Sequence, residues 1–329
     1  MSPKGGPVSD GRVVVTGASG FIGAALAARL RGAGRPLLGT VREVQAGMPG
    51  DLQPVGDLAR APDELLDDLL RGACAVVHLA GRAHVLDEIE PDPVASYRQA
   101  NVVATARIAR AAVRAGVQQL IHASTVKVHG ESSVPGRPLR PEDPCIPVDD
   151  YARSKLAAER EVGAICAGTA LAPLILRLPL VYGPGVKGNF LALMDAVARG
   201  ATLPLGAIRN RRSILYVGNL VEAIAVALDT TPPPTGAYFI ADAQSVAVPD
   251  LARAIGVALG EPVRLPSVPV VALELGARLI GKRATIARLT RTLEVDSTSL
   301  TDATGWRPRF ALADGLAETA KWWRLRHAI

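Results

Sequence analysis

The sequence predicts an α/β fold: a doubly wound parallel sheet with a smaller, mostly helical C-terminal lobe. Three observations carry this expectation. Short, β-branched apolar runs alternate with helical patterns through the first half, which is the signature of βαβ units and a parallel sheet. A glycine-rich turn follows the first of those runs. After about residue 183 the rhythm changes to helical patterns joined by Pro/Gly-rich pieces.

Each element has its own reason. Arg12–Thr16 (RVVVT) is a β-branched run that reads as a strand. Residues 24–33 are rich in Ala and Leu and read as a helix, stopped by Gly34. Residues 37–41 form the second strand, 63–71 a short helix and 75–80 a strand. Residues 94–115 read as one long helix stopped by Gly116. Residues 120–124 are the next strand, 150–167 a helix and 174–178 a strand. Beyond them, helical patterns fall at 190–199, 220–229, 250–259, 270–280 and 312–324, with short strands at 212–217 and 237–241. The expected organisation is a loose leader over 1–11, a first domain over 12–182 and a second lobe over 183–329. Segments near 217–242 are able to return to the first sheet.

Composition excludes several classes. The 329 residues are 49% hydrophobic and 21% charged, so the chain can bury a core and is not disordered. Three cysteines (Cys74, Cys145, Cys166) without C-x-x-C spacing give neither a disulfide scaffold nor a metal site. No apolar run of about 18 residues predicts a membrane span. The leader lacks the apolar stretch of a signal peptide, so the expected compartment is the cytoplasm. The net charge of +6 suits an anionic small molecule. Aromatics are 4% and the basic residues are spread out, so nucleic acid is not an expected partner.

The segment 16–23, TGASGFIG, lies between the first strand and the first helix. A dinucleotide diphosphate docks at such a helix N-terminus, in a Rossmann-type site. Gly17 would make the tight turn, Gly20 would admit the phosphates and Gly23 would let the helix pack on the strand. The second strand ends at Arg42 rather than at an acid. An Arg there meets a ribose 2′-phosphate, which favours NADP(H); the adjacent Glu43 leaves NAD(H) open. Asp57 and Leu58, after the third strand, stand where an adenine is held.

Tyr151 and Lys155 are four apart on a helix and share a face. A free Tyr has a pKa near 10 and is a poor base at neutral pH; a nearby ammonium would lower it. Such a group gives or takes an alcohol proton. Thr125 lies 26 residues upstream at a strand end, where its hydroxyl orients the substrate oxygen. His84 sits in a loop able to reach a substrate. His78 and His122 fall in buried-strand patterns and read as core.

Together these segments resemble the extended short-chain dehydrogenases/reductases, in their nucleotide-sugar epimerase/dehydratase branch. The family's T-G-x-x-G-F-I-G is residues 16–23, which puts Ser19, Phe21 and Ile22 on the cofactor beside the glycines. Its D-L on adenine is Asp57-Leu58. Its H-L-A is His78-Leu79-Ala80, followed here by Gly81, and its helix Asn is Asn101. Its catalytic Ser/Thr, Tyr and Lys are Thr125, Tyr151 and Lys155. Its R-P-x-x-V-Y-G-P-G is residues 177–185, with Leu178 for the first Pro and Pro179 one place later; that segment lines the nicotinamide. On the substrate side, the resemblance implies that Asn189 and Arg212 contact the diphosphate of a UDP-sugar. Ser213 and Asn219 replace two of the family's acids. The stretches 78–85, 125–130 and 184–190 are closest to a subgroup of UDP-glucose 4-epimerase-like proteins and UDP-4-keto-6-deoxy-N-acetylhexosamine 4-reductases, which adds Lys127 to the substrate contacts. A homodimer is the expected assembly.

Three functions follow. A 4-reductase would deliver hydride to C4 of a UDP-4-keto sugar, with Tyr151 giving the proton and Thr125 holding the oxygen; Arg42 tips the reading this way. A UDP-sugar 4-epimerase would use the same residues with retained NAD. A non-catalytic dinucleotide-binding protein would be expected to lack the Tyr/Lys pair. A 4,6-dehydratase needs an acid and a base after Thr125, where this chain has Val126 and Lys127.

Overall fold

A computed structural model describes residues 11–43, 47–83, 91–279 and 283–327. The first half builds β1 (Arg12–Thr16), α1 (Phe21–Gly32), β2 (Leu37–Val41), β3 (Leu52–Pro54), α2 (Asp63–Leu70), β4 (Ala73–His78), α3 (Pro93–Tyr97), α4 (Ala104–Arg114), β5 (Gln119–Thr125), α5 (Asp150–Cys166) and β6 (Ala172–Leu178). The second half adds β7 (Leu180–Tyr182), α6 (Gly188–Ala198), β8 (Ile214–Tyr216), α7 (Val217–Asp229), β9 (Gly236–Phe239), α8 (Val248–Leu259), α9 (Val270–Leu279), α10 (Arg283–Thr290), α11 (Thr298–Thr304) and α12 (Leu312–His327).

Seven parallel strands form one sheet in the order β3-β2-β1-β4-β5-β6-β9. Its core strands are buried on both faces, which explains their unbroken apolar runs. Alternation sorts the side chains. Val13 and Val15 face α1 and α7, against Leu26, Leu30, Leu220 and Ile224. Val14 points the other way, against Leu66, Leu69, Ile108 and Val162 on α2, α4 and α5. The strand order reverses between β1 and β4, so a crevice opens at their carboxyl ends. β9 joins the sheet beside β6 although it lies far along the chain.

The stretch read as one helix over 94–115 is three pieces. α3 is capped by Asp92, which accepts from Ala95 N at 2.9 Å. A π-helical turn, Arg98–Val103, then leads into α4. The break serves Asn101, a fully buried amide whose bonds run to other elements rather than along its own helix. Two helices, α10 and α11, have no counterpart in the sequence reading.

β7 and β8 form a separate, short parallel pair. Half-buried Asp242 braces the end of this pair: it accepts from Tyr216 N at 3.0 Å and Asn219 Nδ2 at 2.8 Å. Asn219 also donates to Phe310 O at 2.9 Å. The neutral amide that replaces a family acid at 219 is therefore a two-sided tie between α7 and the start of α12.

Two histidines are buried under this sheet's end. His78 and His122 are register partners on β4 and β5, with ring centroids 5.5 Å apart. Burial, then the nearby Lys155, push His78 down to about 3 and His122 well below its ordinary value. Below pH 6.5 the unfolded chain binds protons that the folded chain refuses, so stability falls as pH drops. One such histidine removes about 2 kcal/mol between pH 7 and pH 5. Urea unfolding of His122→Phe should therefore lose about 2 kcal/mol less than wild type over that interval. An identical pH dependence in the two proteins would mean that His122 titrates normally in the fold.

Candidate active site

The crevice begins at the glycine turn. Gly17 has a φ of +71°, and a side chain there would meet Ala80 N at 2.9 Å. At Gly23 a Cβ would fall 2.1 Å from the Gly17 carbonyl oxygen, so α1 packs on the turn only without one. The groove that follows has a volume of about 340 Å³. Its walls bring together Ser19, Gly20, Arg42, Asp57, Leu58 and residues 79–81. Phe21 and Ile22 are half-buried in the first turn of α1. This is a continuous cradle across the ends of β1, β2 and β4 beside a helix N-terminus, and it fits a dinucleotide. Arg42 and Glu43 are exposed at its rim. Asp57 accepts from Ala59 N at 3.0 Å. The loop after it is braced by Arg107, which bonds the Ala61 carbonyl and, at 2.6 Å, Asp63.

β5 delivers Thr125 to the crevice. Thr125 pairs in register with Leu178, so Pro179 emerges beside it at the same sheet end. The Thr125 hydroxyl accepts from Lys127 N at 3.3 Å, starting a 3-10 turn over Val126–His129. α5 delivers Tyr151 and Lys155 on one face. Its N-cap is Asp149, which accepts from Ala152 N at 2.7 Å. Thr125 and Tyr151 are joined by a side-chain hydrogen bond. The Tyr151 ring lies 6.0 Å from that of Tyr97.

The electrostatics differ from the expectation that Lys155 would depress Tyr151. Burial pushes the phenol up to about 12; Thr125 works against this, while Asp149 and Tyr97 add to it. Burial brings Lys155 down to about 8, and Glu159 opposes that fall. The Lys155 Nζ donates to the Ala123 carbonyl at 2.8 Å. Removal of both groups from water outweighs their proximity on the helix. Tyr151 is therefore a neutral phenol near pH 7, the form that donates a proton.

On the other side of Thr125, Lys127 bonds Asp149 at 2.7 Å and pairs with Glu131 at 3.7 Å. Glu131 also pairs with Arg288 on α10 at 3.4 Å. This chain of alternating charges joins the cap of the Tyr151 helix to α10. Arg212 comes to the same region but is engaged: its guanidinium donates to the carbonyls of Arg288 (2.9 Å) and Arg291 (3.2 Å), at the C-terminal end of α10. Asn189 is exposed in the first turn of α6. His84 lies outside the described residues. Arg288 and Glu131 escaped the sequence reading, because neither sits in a motif and they are 157 residues apart.

Arg177 opens the segment read as lining the nicotinamide, and it is a buried structural cation. It pairs with Glu159 at 2.7 Å, both side chains under a tenth exposed. It also donates to Pro141 O at 2.9 Å and His129 Nε2 at 2.8 Å. His129 Nδ1 donates to Pro144 O at 3.2 Å, so its neutral tautomer is fixed by its neighbours.

Comparison with known proteins follows the same outline. The model of the NAD dependent epimerase/dehydratase family matches residues 13–241. The chain belongs to that family. Like other members of the NAD-dependent epimerase/dehydratase family it is an extended short-chain dehydrogenase/reductase enzyme. A Vibrio cholerae protein called UDP-glucose 4-epimerase is 35% identical over 311 residues, 94% of each chain. A Kitasatospora kifunensis protein called dTDP-6-deoxy-L-talose 4-dehydrogenase (NAD(P)(+)) is 30% identical over 320 residues, 93% of this chain and 94% of its own. The structure of MoeE5 in complex with UDP-glucose and NAD superposes with a TM-score of 0.75 at 27% identity, covering 96% of this chain and all of that one. Among the described residues no helix is long and apolar enough to cross a membrane.

Proposed function

We propose that this enzyme is a UDP-sugar 4-epimerase that works through a 4-keto sugar, with NAD in the groove at the glycine turn. The observation that carries the reading is the identity of 35% along 94% of both chains with the Vibrio cholerae relative. The site supports it, because one phenol, one hydroxyl and one ammonium are what chemistry at a single carbinol needs. The position after Thr125 that a dehydratase fills with an acid–base pair holds Val126 and a Lys127 already bonded to Asp149.

The nicotinamide, when bound, would take the hydride from C4 and return it. Tyr151 moves the proton at the sugar's O4: after its phenol gives up its own proton, the phenolate accepts the O4 proton as C4 is oxidised and returns it as C4 is reduced. Thr125, bonded to Tyr151, holds the same oxygen. Lys155 stands under the ribose side of the groove. Gly17, Ser19, Gly20, Asp57 and Leu58 hold the dinucleotide, with Leu79, Ala80, Gly81 and Pro179 along its nicotinamide half; Asn101, expected there, is fully buried and instead braces the 79–82 strap from behind. Lys127, Asn189 and Arg212 face the UDP-sugar. Arg212 then acts partly through the end of α10, which it braces. Residues 12–182 with the β9 strand form the dinucleotide-binding domain, and the rest of 183–329 the substrate lobe.

A second reading, reduction of a UDP-4-keto sugar by NADPH, is favoured by one observation: Arg42 on the rim of the adenosine end of the groove. Incubating the purified protein with UDP-glucose or UDP-N-acetylglucosamine and no added cofactor separates the two. The epimerase interconverts the C4 epimers. Turnover of a 4-keto sugar that depends strictly on added NADPH, with no epimerisation, would replace it with the reductase.

Arg42 has its own test. A charge-assisted contact to a 2′-phosphate is worth roughly 1.5–3 kcal/mol. Arg42→Ala should weaken NADPH binding about tenfold or more and leave NADH binding within twofold, read by calorimetry. An unchanged ratio removes the support for the second reading.

A further inference from the structure

His78 is a filled, buried side chain with a direction built into it. The Ala80 N–H is an obligate donor and bonds Thr16 Oγ1 at 3.2 Å. The Thr16 hydroxyl keeps its own proton free to donate to His78 Nδ1, 2.7 Å away. On the other side of the ring, the Thr105 hydroxyl donates to the Asn101 carbonyl at 2.6 Å. Its oxygen is left to accept from His78 Nε2–H at 3.0 Å. The Thr105 flank sets the Nε2–H neutral tautomer, and the Thr16 flank accommodates it.

The chain of bonds does not stop at Asn101. Its side-chain amide donates to Ser154 Oγ at 2.9 Å, and Ser154 Oγ donates to the Tyr151 carbonyl at 2.7 Å. The same amide holds Arg82 from both sides, accepting from Arg82 N at 2.8 Å and donating to Arg82 O at 3.1 Å. At Gly81 a Cβ would approach Asn101 Oδ1 to 2.8 Å and come within 3.5 Å of Lys155 Nζ, so the strap over 79–82 passes close to both only as glycine there. Thr16, His78, Thr105, Asn101 and Ser154 are all buried.

We propose that His78 is a positioning residue, which through Thr105, Asn101 and Ser154 fixes where Tyr151 stands relative to the glycine turn. One end of the wire is the last residue of β1, where the dinucleotide diphosphate docks. The other end is the backbone of the proton-transfer residue. The wire thus sets the hydride side and the proton side of the reaction at a fixed distance. The π-helical turn is its structural cost: the helix is interrupted where Asn101 must bond across to both the strap and α5. This assignment rests on reading Tyr151 and Lys155 as the reacting pair.

Thr105 gives the cleanest perturbation. Thr105→Val keeps the shape and deletes the hydroxyl that serves both His78 and the Asn101 carbonyl. Thr105→Ser keeps the hydroxyl and deletes a methyl group. Small displacements of reacting groups cost rate rather than binding. Thr105→Val should lower kcat for UDP-sugar epimerisation about 10- to 30-fold with KM within twofold, whereas Thr105→Ser should stay within twofold of wild type. A Thr105→Val kcat within threefold of wild type, or an equal loss in Thr105→Ser, would overturn the proposal and leave only packing. A second measurement needs neither substrate nor a folded variant: nitrogen-15 spectra of the histidines in the wild-type protein, which has five. His78 should show a protonated Nε2 and an unprotonated Nδ1 at pH 7. The opposite tautomer would break the wire. If no UDP-sugar turns over, the proposed function fails while the spectra still judge the wire.

Discussion

Tyr151→Phe is expected to keep the fold and dinucleotide binding and to lose turnover by about 10²–10⁴-fold. The substitution deletes one hydroxyl and leaves the ring in its place beside Tyr97. The deleted atom is the group bonded to Thr125. Burial keeps that phenol protonated to about pH 12, so at neutral pH it begins as a donor, and the reductive half of the reaction draws on that form. Taking the proton from a sugar hydroxyl requires the ionised form, which Thr125 favours and Asp149 disfavours. Turnover of wild type and variant on UDP-glucose should be compared with NADH binding measured on the same preparations. Turnover within tenfold of wild type, with NADH affinity unchanged, would move the proton-transfer role elsewhere. A joint loss of affinity and turnover would show that the hydroxyl also holds the cofactor.

Local chemistry was legible in the sequence, and long-range pairing was not. The glycine turn could be read because Gly23 is forced by the Gly17 carbonyl within a single βα unit and Gly17 takes a positive φ in the tight turn; that Ala80 also crowds Gly17 was not legible. Tyr151 and Lys155 could be read because helix geometry alone puts them on one face. The strands were legible because a sheet covered on both faces asks for unbroken β-branched runs. The π-helical turn was hidden, since nothing in 98–103 breaks a helix; the cause is what Asn101 bonds across the fold. Arg212 was recognised from its motif, but its guanidinium meets carbonyls 76 and 79 residues away on a helix that the sequence reading did not contain. The pKa of Tyr151 moved opposite to expectation for the same reason. Helical spacing states that Lys155 is near, and says nothing of how dry the site is or that the ammonium turns to the Ala123 carbonyl.

Glu159→Leu is expected to destabilise the protein by about 3–5 kcal/mol, the cost of leaving one partner of a buried ion pair uncompensated. Glu159 lies two turns beyond Tyr151 and one beyond Lys155 on the same stretch of α5. Its carboxylate takes Arg177 at 2.7 Å and also the Ser124 hydroxyl, next to Thr125. Both charged side chains are under a tenth exposed, so water cannot screen the loss. His129 and Pro141 O give Arg177 hydrogen bonds but no countercharge. Urea unfolding at pH 7 reads the effect. Glu159→Leu combined with Arg177→Met should recover most of it, because the orphaned cation is removed together with its partner. A single-variant loss below about 1 kcal/mol would mean that water reaches Arg177 in solution. A double variant no better than the single would mean that the cost lies in Ser124 and the end of β5. In that case turnover should fall with stability, since Thr125 is the next residue along that strand.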